Sequence, residues 1–164
     1  MLQRDKPGLG ELLRHVGELV EQGAEEHYRK MRLNYRARYT PVLRALSAGA
    51  QTVTDITART YLTQGAVSQT VGLMEADGLI GRRPVDDGRK SSIQMTPAGR
   101  ALVSKLERHW AITFTAIAAL ETEIGHPLLQ VLEDTARALE QQGFSERLTT
   151  AKAGPSIGKR HDAE

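Results

Sequence analysis

One predicted helix in the middle of the chain shows small and hydrogen-bonding groups where a surface helix usually shows charge. It begins after Thr63, and one side of it carries Gly65, Ser68, Gln69 and Gly72. The opposite side is apolar, with Val67, Val71 and Met74 at positions i, i+4 and i+7. Amide and hydroxyl groups both donate and accept hydrogen bonds. Such a face suits a helix that enters a DNA groove, although a solvated face is the alternative interpretation.

A predicted β-ribbon follows this helix, and basic residues surround its turn. The ribbon runs from Ile80 to Thr96, with the turn at 86–88, and its cations are Arg82, Arg83, Arg89 and Lys90. We expect Arg82, Arg83 and Lys90 to contact phosphates, which position a protein on DNA without reading its sequence. Arg89 is expected to enter the minor groove, with Asp87 holding its guanidinium group. The alternative is a hairpin that is basic only for solubility.

A shorter predicted helix precedes the polar one, so the segment indicates a helix-turn-helix with a basic wing. We expect Gln64, Ser68 and Gln69 to lie nearest the base edges, with the Gln69 amide paired to adenine. Thr70 is expected to contact a phosphate, and Ser68 either a base or a phosphate. The helix start at Thr52 and Thr54 could hold a phosphate through free backbone N–H groups, or these residues could be plain caps.

Charge is distributed unevenly along the 164 residues, although the formal net charge is only +2. Between Tyr28 and Arg100 there are 12 Lys or Arg against 5 Asp or Glu, and the remainder has 10 against 15. A basic centre between acidic ends is expected when one region meets a polyanion. The basic run in 29–38 indicates either a second phosphate-binding track or a seam between helices.

Several classes of function are disfavoured by the sequence. There is no cysteine, which excludes disulfides and thiolate chemistry. No motif of a phosphate-binding loop, zinc protease or nucleophile elbow occurs, so we expect no enzyme and no cofactor. The five histidines lack metal-site spacing, so we expect no metal. No long apolar run occurs, and we expect a cytoplasmic protein without a membrane partner.

Apolar stripes at helical spacing flank the basic centre. One comprises Leu9, Leu13, Val16 and Val20; the other comprises Val103, Leu106, Trp110, Phe114, Ile117, Leu120 and Ile124. We expect a homodimer, although the stripes could instead fold back on their own domain. The predicted fold is mainly α with a small β-ribbon. Its parts are an N-terminal dimerisation helix and basic-aromatic segment (1–39), a winged helix-turn-helix (40–97), C-terminal dimerisation helices (98–148) and a disordered tail (149–164).

The segment from Thr52 to Arg100 resembles the MarR family of bacterial transcriptional regulators. Residues 74–79 look like the end of the family's recognition helix, residues 87–89 like its Asp-x-Arg wing motif, and residues 96–99 like its Leu-Thr-x-x-Gly helix start. Tyr61 departs from the pattern, because a helix-turn-helix often has glycine there. The resemblance implies a winged helix-turn-helix homodimer that binds a pseudo-palindromic operator on double-stranded DNA and is often released by small molecules.

A small-molecule effector would need aromatic walls and a few polar groups. We expect such a site where the first helix, the basic-aromatic segment and the long helix could meet, with His15, Tyr28, Tyr35, His109 and Trp110 as candidates. Core packing is the alternative role for these aromatic residues. The favoured function is a sequence-specific DNA-binding regulator that acts as a repressor. A winged-helix protein-interaction module and a non-specific architectural DNA-binding module are the alternatives.

Overall fold

The computed structural model describes residues 6–84 and 91–154, and these are mainly helical with one two-stranded ribbon. The helices are α1 (Leu9–Lys30), α2 (Thr40–Ser47), α3 (Val53–Ala58), α4 (Gln64–Ala76), α5 (Pro97–Ile124), α6 (Leu128–Gln141) and α7 (Phe144–Ala153). The strands are β1 (Ile80–Pro84) and β2 (Ser91–Met95), and a 3₁₀ turn at Ala37–Tyr39 precedes α2. The predicted fold class is confirmed.

The chain divides into two compact units, and the division falls within α5. The first unit ends at Arg108 and the second begins at His109. The core of the first unit is built from apolar side chains of successive elements, including Tyr39, Val42, Leu43, Ile56, Val67, Val71, Met74 and Leu106, which are all fully buried. The period of 3.6 residues in α4 therefore placed Val67, Val71 and Met74 correctly.

Threonine hydroxyls cap the starts of α3 and α4. The Oγ1 of Thr52 accepts from Asp55 N at 3.0 Å, and that of Thr63 accepts from Ala66 N at 3.1 Å. Hydrogen bonds from the backbone N–H groups of Gln51 and Thr52 lower the pKa of Asp55, which completes a capping box at α3.

Helix α2 begins without a side-chain cap. Thr40 is the first residue of α2, and Tyr39 occupies the N-cap position without a side-chain hydrogen bond. The Thr40 hydroxyl instead shares a 2.7 Å hydrogen bond with the hydroxyl of Tyr35. The Thr40 hydroxyl therefore does not cap α2.

The second unit contains two helices besides the end of α5. Helix α5 ends just before Gly125, whose φ of +73° is a left-handed conformation that suits glycine. Gly143 occupies the N-cap position of α7. Residues 149–153, which the sequence predicted to be disordered, are helical. Arg147 donates to the carbonyl oxygens of Ala138 and Gln142 at 2.9 and 3.0 Å, which fastens α7 to the end of α6.

Membrane insertion has no support in residues 6–84 and 91–154. None of their helices combines the length and the apolar character that crossing a bilayer requires.

Candidate nucleic-acid interface

The polar face of α4 is exposed, as the sequence predicted. Gln64, Ser68 and Gln69 are all exposed, while the apolar side of the same helix is inside the first unit. Thr63 caps α4 at the end where Gln64 lies, so the backbone N–H groups of the first turn accompany these side chains. The face can therefore offer donors and acceptors to another polar surface.

Two glycines on this face have no internal reason to be glycine. A methyl group added at Gly65 or Gly72 would meet nothing within 4 Å, and neither residue has a positive φ. Glycine inside a helix costs about 1 kcal/mol relative to alanine. The stability lost at Gly72 is therefore not explained by packing within the described part of this chain.

Thr70 does not lie on the exposed face, because only 2% of it is accessible. This placement does not favour the predicted phosphate contact. Thr70 is three residues after Val67 and four before Met74, so the helical period itself assigns it to the buried side. The phosphate contact was predicted from the polar side chain of Thr70 and not from its position in the helical period.

Arg38 reaches α4 from the 3₁₀ turn, a contact that the sequence did not reveal. Its Nη2 donates to Oε1 of Gln69 at 3.2 Å and lies 3.4 Å from Oγ1 of Thr70. The basic run that contains Arg38 therefore contributes at least one guanidinium group beside the polar face.

The ribbon follows α4 directly, with β1 and β2 antiparallel and Arg82 opposite Ile93. Arg82 Nε donates to Glu75 Oε2 at 2.8 Å, so this predicted phosphate contact already has a carboxylate partner on α4. Arg83, opposite Ser92, is exposed. Asp87, Arg89 and Lys90 lie outside the described residues, and their predicted roles stay predictions.

The other predicted DNA contacts lie at the start of α3. Thr54 is exposed, whereas Thr52 is half-buried and its hydroxyl forms the cap. A backbone contact to phosphate at this end stays a prediction, and the capping role of Thr52 is observed.

Hydrogen bonds of Thr96 join the end of the ribbon to the segment that follows α4 and to the start of α5. Thr96 N donates to the Leu79 carbonyl at 3.0 Å, and the Thr96 hydroxyl donates to the Gly78 carbonyl at 2.7 Å. The same hydroxyl accepts from Gly99 N at 3.1 Å and so begins α5. A Cβ on Gly99 would overlap the carbonyl oxygen of Leu79, so the absence of a side chain is required there.

A buried tyrosine contacts the C-terminal end of α4. Tyr39 is fully buried, and its hydroxyl donates to Oδ2 of Asp77 at 2.7 Å, at the C-cap of α4. Burial, followed by the hydrogen bond to Asp77, raises the pKa of Tyr39 to about 12. The neutral phenol is therefore the form that the fold requires.

We expect the stability that Tyr39 supplies to depend on pH. A raised pKa in the folded state means that the contribution is complete below pH of about 10 and is lost as the pH rises toward 12. Urea unfolding of the wild type and Tyr39→Phe should show a difference in free energy of about 1 kcal/mol at pH 8 that shrinks at pH 11. A difference that is independent of pH would contradict this assignment.

The effector candidates are divided between the two units. In the first, Tyr28 and Tyr35 are buried and pack edge to face with ring centroids 4.7 Å apart, while His15 is exposed on α1. In the second, His109 is buried, its Nε2 lies 3.4 Å from the Thr113 hydroxyl, and Nε1 of the neighbouring Trp110 is a buried donor with no partner in the described residues. A binding role for these residues stays a prediction.

Metal binding has no support in the part of the chain that the structure describes. No group of three or more His, Asp or Glu side chains there is arranged to hold an ion.

Comparison with known proteins finds a family model that matches the segment containing α3 and α4. The sequence model of the MarR family matches residues 35–91, from just before the 3₁₀ turn to the first residue of β2. No curated protein matches the chain.

Solved structures with the same fold cover most of the chain. The transcriptional regulator MosR of M. tuberculosis, crystallised in complex with DNA, has a TM-score of 0.67 at 19% identity, over 82% of this chain and 98% of that one. The MarR family regulator SPO1453 of Silicibacter pomeroyi has a TM-score of 0.58 at 24% identity, over 80% and 94%. BpsR of Bordetella bronchiseptica, whose DNA binding is regulated by 6-hydroxynicotinic acid, has a TM-score of 0.51 at 22% identity, over 74% and 98%.

The match and the fold agree on the same segment. The matched residues include α3, α4 and β1. They end at the first residue of β2. MosR and SPO1453 are themselves transcriptional regulators. Residues 35–91 match the MarR family model, and the chain has the winged helix-turn-helix fold of these solved structures.

Proposed function

We propose that this protein binds a pseudo-palindromic operator as a two-fold symmetric homodimer, and represses transcription by occupying it. The observation that carries the proposal is the exposed face of α4, which presents amides, a hydroxyl and glycine beside the ribbon. A helix with such a face fits the major groove, where each base pair shows a distinct pattern of donors and acceptors.

Exposed apolar side chains support the homodimer. On α1, the whole apolar stripe is about half accessible: Leu9, Leu12, Leu13, Val16, Leu19 and Val20. The second unit has a further set, including Ile112, Phe114, Leu120, Ile124, Leu129, Val131, Leu132, Phe144 and Leu148. Contiguous apolar surface of this kind marks a contact site, and a second copy of the chain can cover identical patches isologously.

Two-fold symmetry sets the form of the operator. Two copies of α4 related by a two-fold axis read inverted half-sites, and successive major grooves on one side of B-DNA are about 34–36 Å apart. The operator should therefore be an inverted repeat with half-site centres one helical turn apart.

Release by a small molecule is proposed as population shift. The dimer would have two forms, of which only one spaces its recognition helices to fit the operator. An effector that binds the other form more tightly shifts the population toward that form, and the affinity of the protein for the operator falls. The Tyr28–Tyr35 pair and the neighbouring His109 and Trp110 supply aromatic surfaces and polar groups within their respective units. The regulation of BpsR by 6-hydroxynicotinic acid shows that a protein of this fold can respond to a small acid.

Selection from random duplexes tests the operator proposal. Purified full-length protein is mixed with a pool of random duplexes at moderate salt, and the retained DNA is sequenced. We expect enrichment of an inverted repeat with half-sites one turn apart. We also expect that the affinity for the enriched duplex falls with salt by roughly one log-log unit per phosphate contact.

Two results of this selection would contradict the proposal, and they differ in meaning. Retention of DNA without an enriched motif would indicate a non-specific architectural protein. No retention at all would indicate that the winged helix contacts another protein.

A further inference from the structure

Arg38 holds the side chain of Gln69 from outside the recognition helix. The two residues are 31 positions apart in the chain, and the Arg38 Nη2 to Gln69 Oε1 distance is 3.2 Å. A guanidinium group offers only donors, so the end of the Gln69 amide that faces it must be the carbonyl. The hydrogen bond from Arg38 therefore fixes which end of the Gln69 amide is the oxygen and which is the nitrogen.

The consequence is that Gln69 presents its NH₂ group away from Arg38. Both side chains are exposed on the polar face of α4. Beside the NH₂ group, the Arg38 guanidinium adds further N–H donors. The two residues together form a patch that donates hydrogen bonds and accepts few.

We infer that Arg38 is a positioning residue for base recognition, and that the Arg38–Gln69 pair selects guanine. The inference rests on the proposed operator binding. Guanine shows two adjacent acceptors, N7 and O6, in the major groove, whereas adenine needs an acceptor for its N6 amine as well as a donor for N7. Arg38 engages one of the two lone pairs of the Gln69 carbonyl, and the remaining groups that the pair presents are mainly N–H donors. We therefore expect the pair to favour guanine over the adenine contact expected from the sequence.

A measurement without DNA tests the contact itself. The side-chain NH₂ signals of Gln69 are identified in ¹⁵N spectra of the full-length protein by their loss in Gln69→Ala. We expect Arg38→Ala to shift these signals. The matched control is Arg36→Ala, which removes the same charge from an exposed position two residues earlier and should leave them in place. Unmoved Gln69 signals in Arg38→Ala would overturn the positioning role.

Selection from random duplexes tests the specificity. The wild type should prefer guanine over adenine at one position per half-site, and Arg38→Ala should weaken that preference about tenfold, because one good bidentate base contact discriminates by this order. Arg36→Ala should keep the preference. A wild-type preference for adenine would overturn the inference, as would uniformly weaker binding by Arg38→Ala with unchanged base preference, since that result describes a phosphate contact.

The failure of this inference can be distinguished from that of the operator proposal. A wild-type motif that Arg38→Ala leaves unchanged overturns the role of Arg38 alone. A wild type that enriches no motif overturns operator reading and the guanine preference together.

Discussion

Gly99→Ala should lower the free energy of unfolding by about 1–3 kcal/mol, the usual cost of forcing an extra methyl group into a packed site. The added Cβ would overlap the Leu79 carbonyl oxygen, and it would also lie 3.1 Å from the carbonyl carbon. Backbone atoms cannot move aside as a flexible side chain can. The start of α5 must therefore separate from the residues that join α4 to β1.

The same change should weaken DNA binding, because the junction sets the ribbon against α4. Separation at Leu79 strains its hydrogen bond from Thr96 N, which anchors β2 beside the recognition helix. Urea unfolding and titration with the selected duplex measure the two effects. Gly81→Ala is the matched control, since a methyl group on this ribbon glycine meets nothing within 4 Å. Equal stability of the two variants would contradict the account of the junction.

Gly72→Ala should stabilise the protein and at the same time weaken its binding to the operator. Alanine in a helix interior is favoured over glycine by about 1 kcal/mol, and the new methyl group meets no atom of the chain within 4 Å. If the exposed face of α4 lies against base edges, that methyl group occupies space that DNA needs. We expect affinity for the selected duplex to fall about tenfold, as for overpacking of a close contact.

Gly17→Ala is the matched control for this experiment. Gly17 is also exposed inside a long helix, and a methyl group there likewise meets nothing within 4 Å. Both variants should gain stability in thermal unfolding, but only Gly72→Ala should lose affinity for DNA. Unchanged affinity in Gly72→Ala would mean that Gly72 merely weakens its helix and that this part of α4 lies away from the bases.

The elements around the site could be predicted from the sequence because their signals are local. The cap at Thr63 and the apolar period of Val67, Val71 and Met74 specify α4 and its buried side without reference to the rest of the chain. Helix α7 was not predicted, because Phe144 and Leu148 alone make too short an apolar pattern to indicate a helix. Both side chains are exposed in the structure. Its attachment depends on Arg147, whose contacts are with backbone carbonyls.

The contacts that tune the site could not be predicted, since they join residues that are distant in the chain. Nothing in the sequence places Arg38 beside Gln69, or the Tyr39 hydroxyl beside Asp77. The pairing of Arg82 with Glu75 likewise depends on how β1 leaves α4. Charge and hydrogen-bonding capacity were visible in the sequence, but their partners are a property of the tertiary structure.

The central claim is that the exposed face of α4 lies in the major groove of duplex DNA, and chemical footprinting tests it most directly. Dimethyl sulfate methylates N7 of guanine, an atom that lies in the major groove. On the selected duplex, we expect the bound wild-type protein to protect guanine N7 in two clusters about one helical turn apart. Gly72→Ala should protect these guanines less at equal concentration. Full reactivity of these guanines under saturating protein would contradict it.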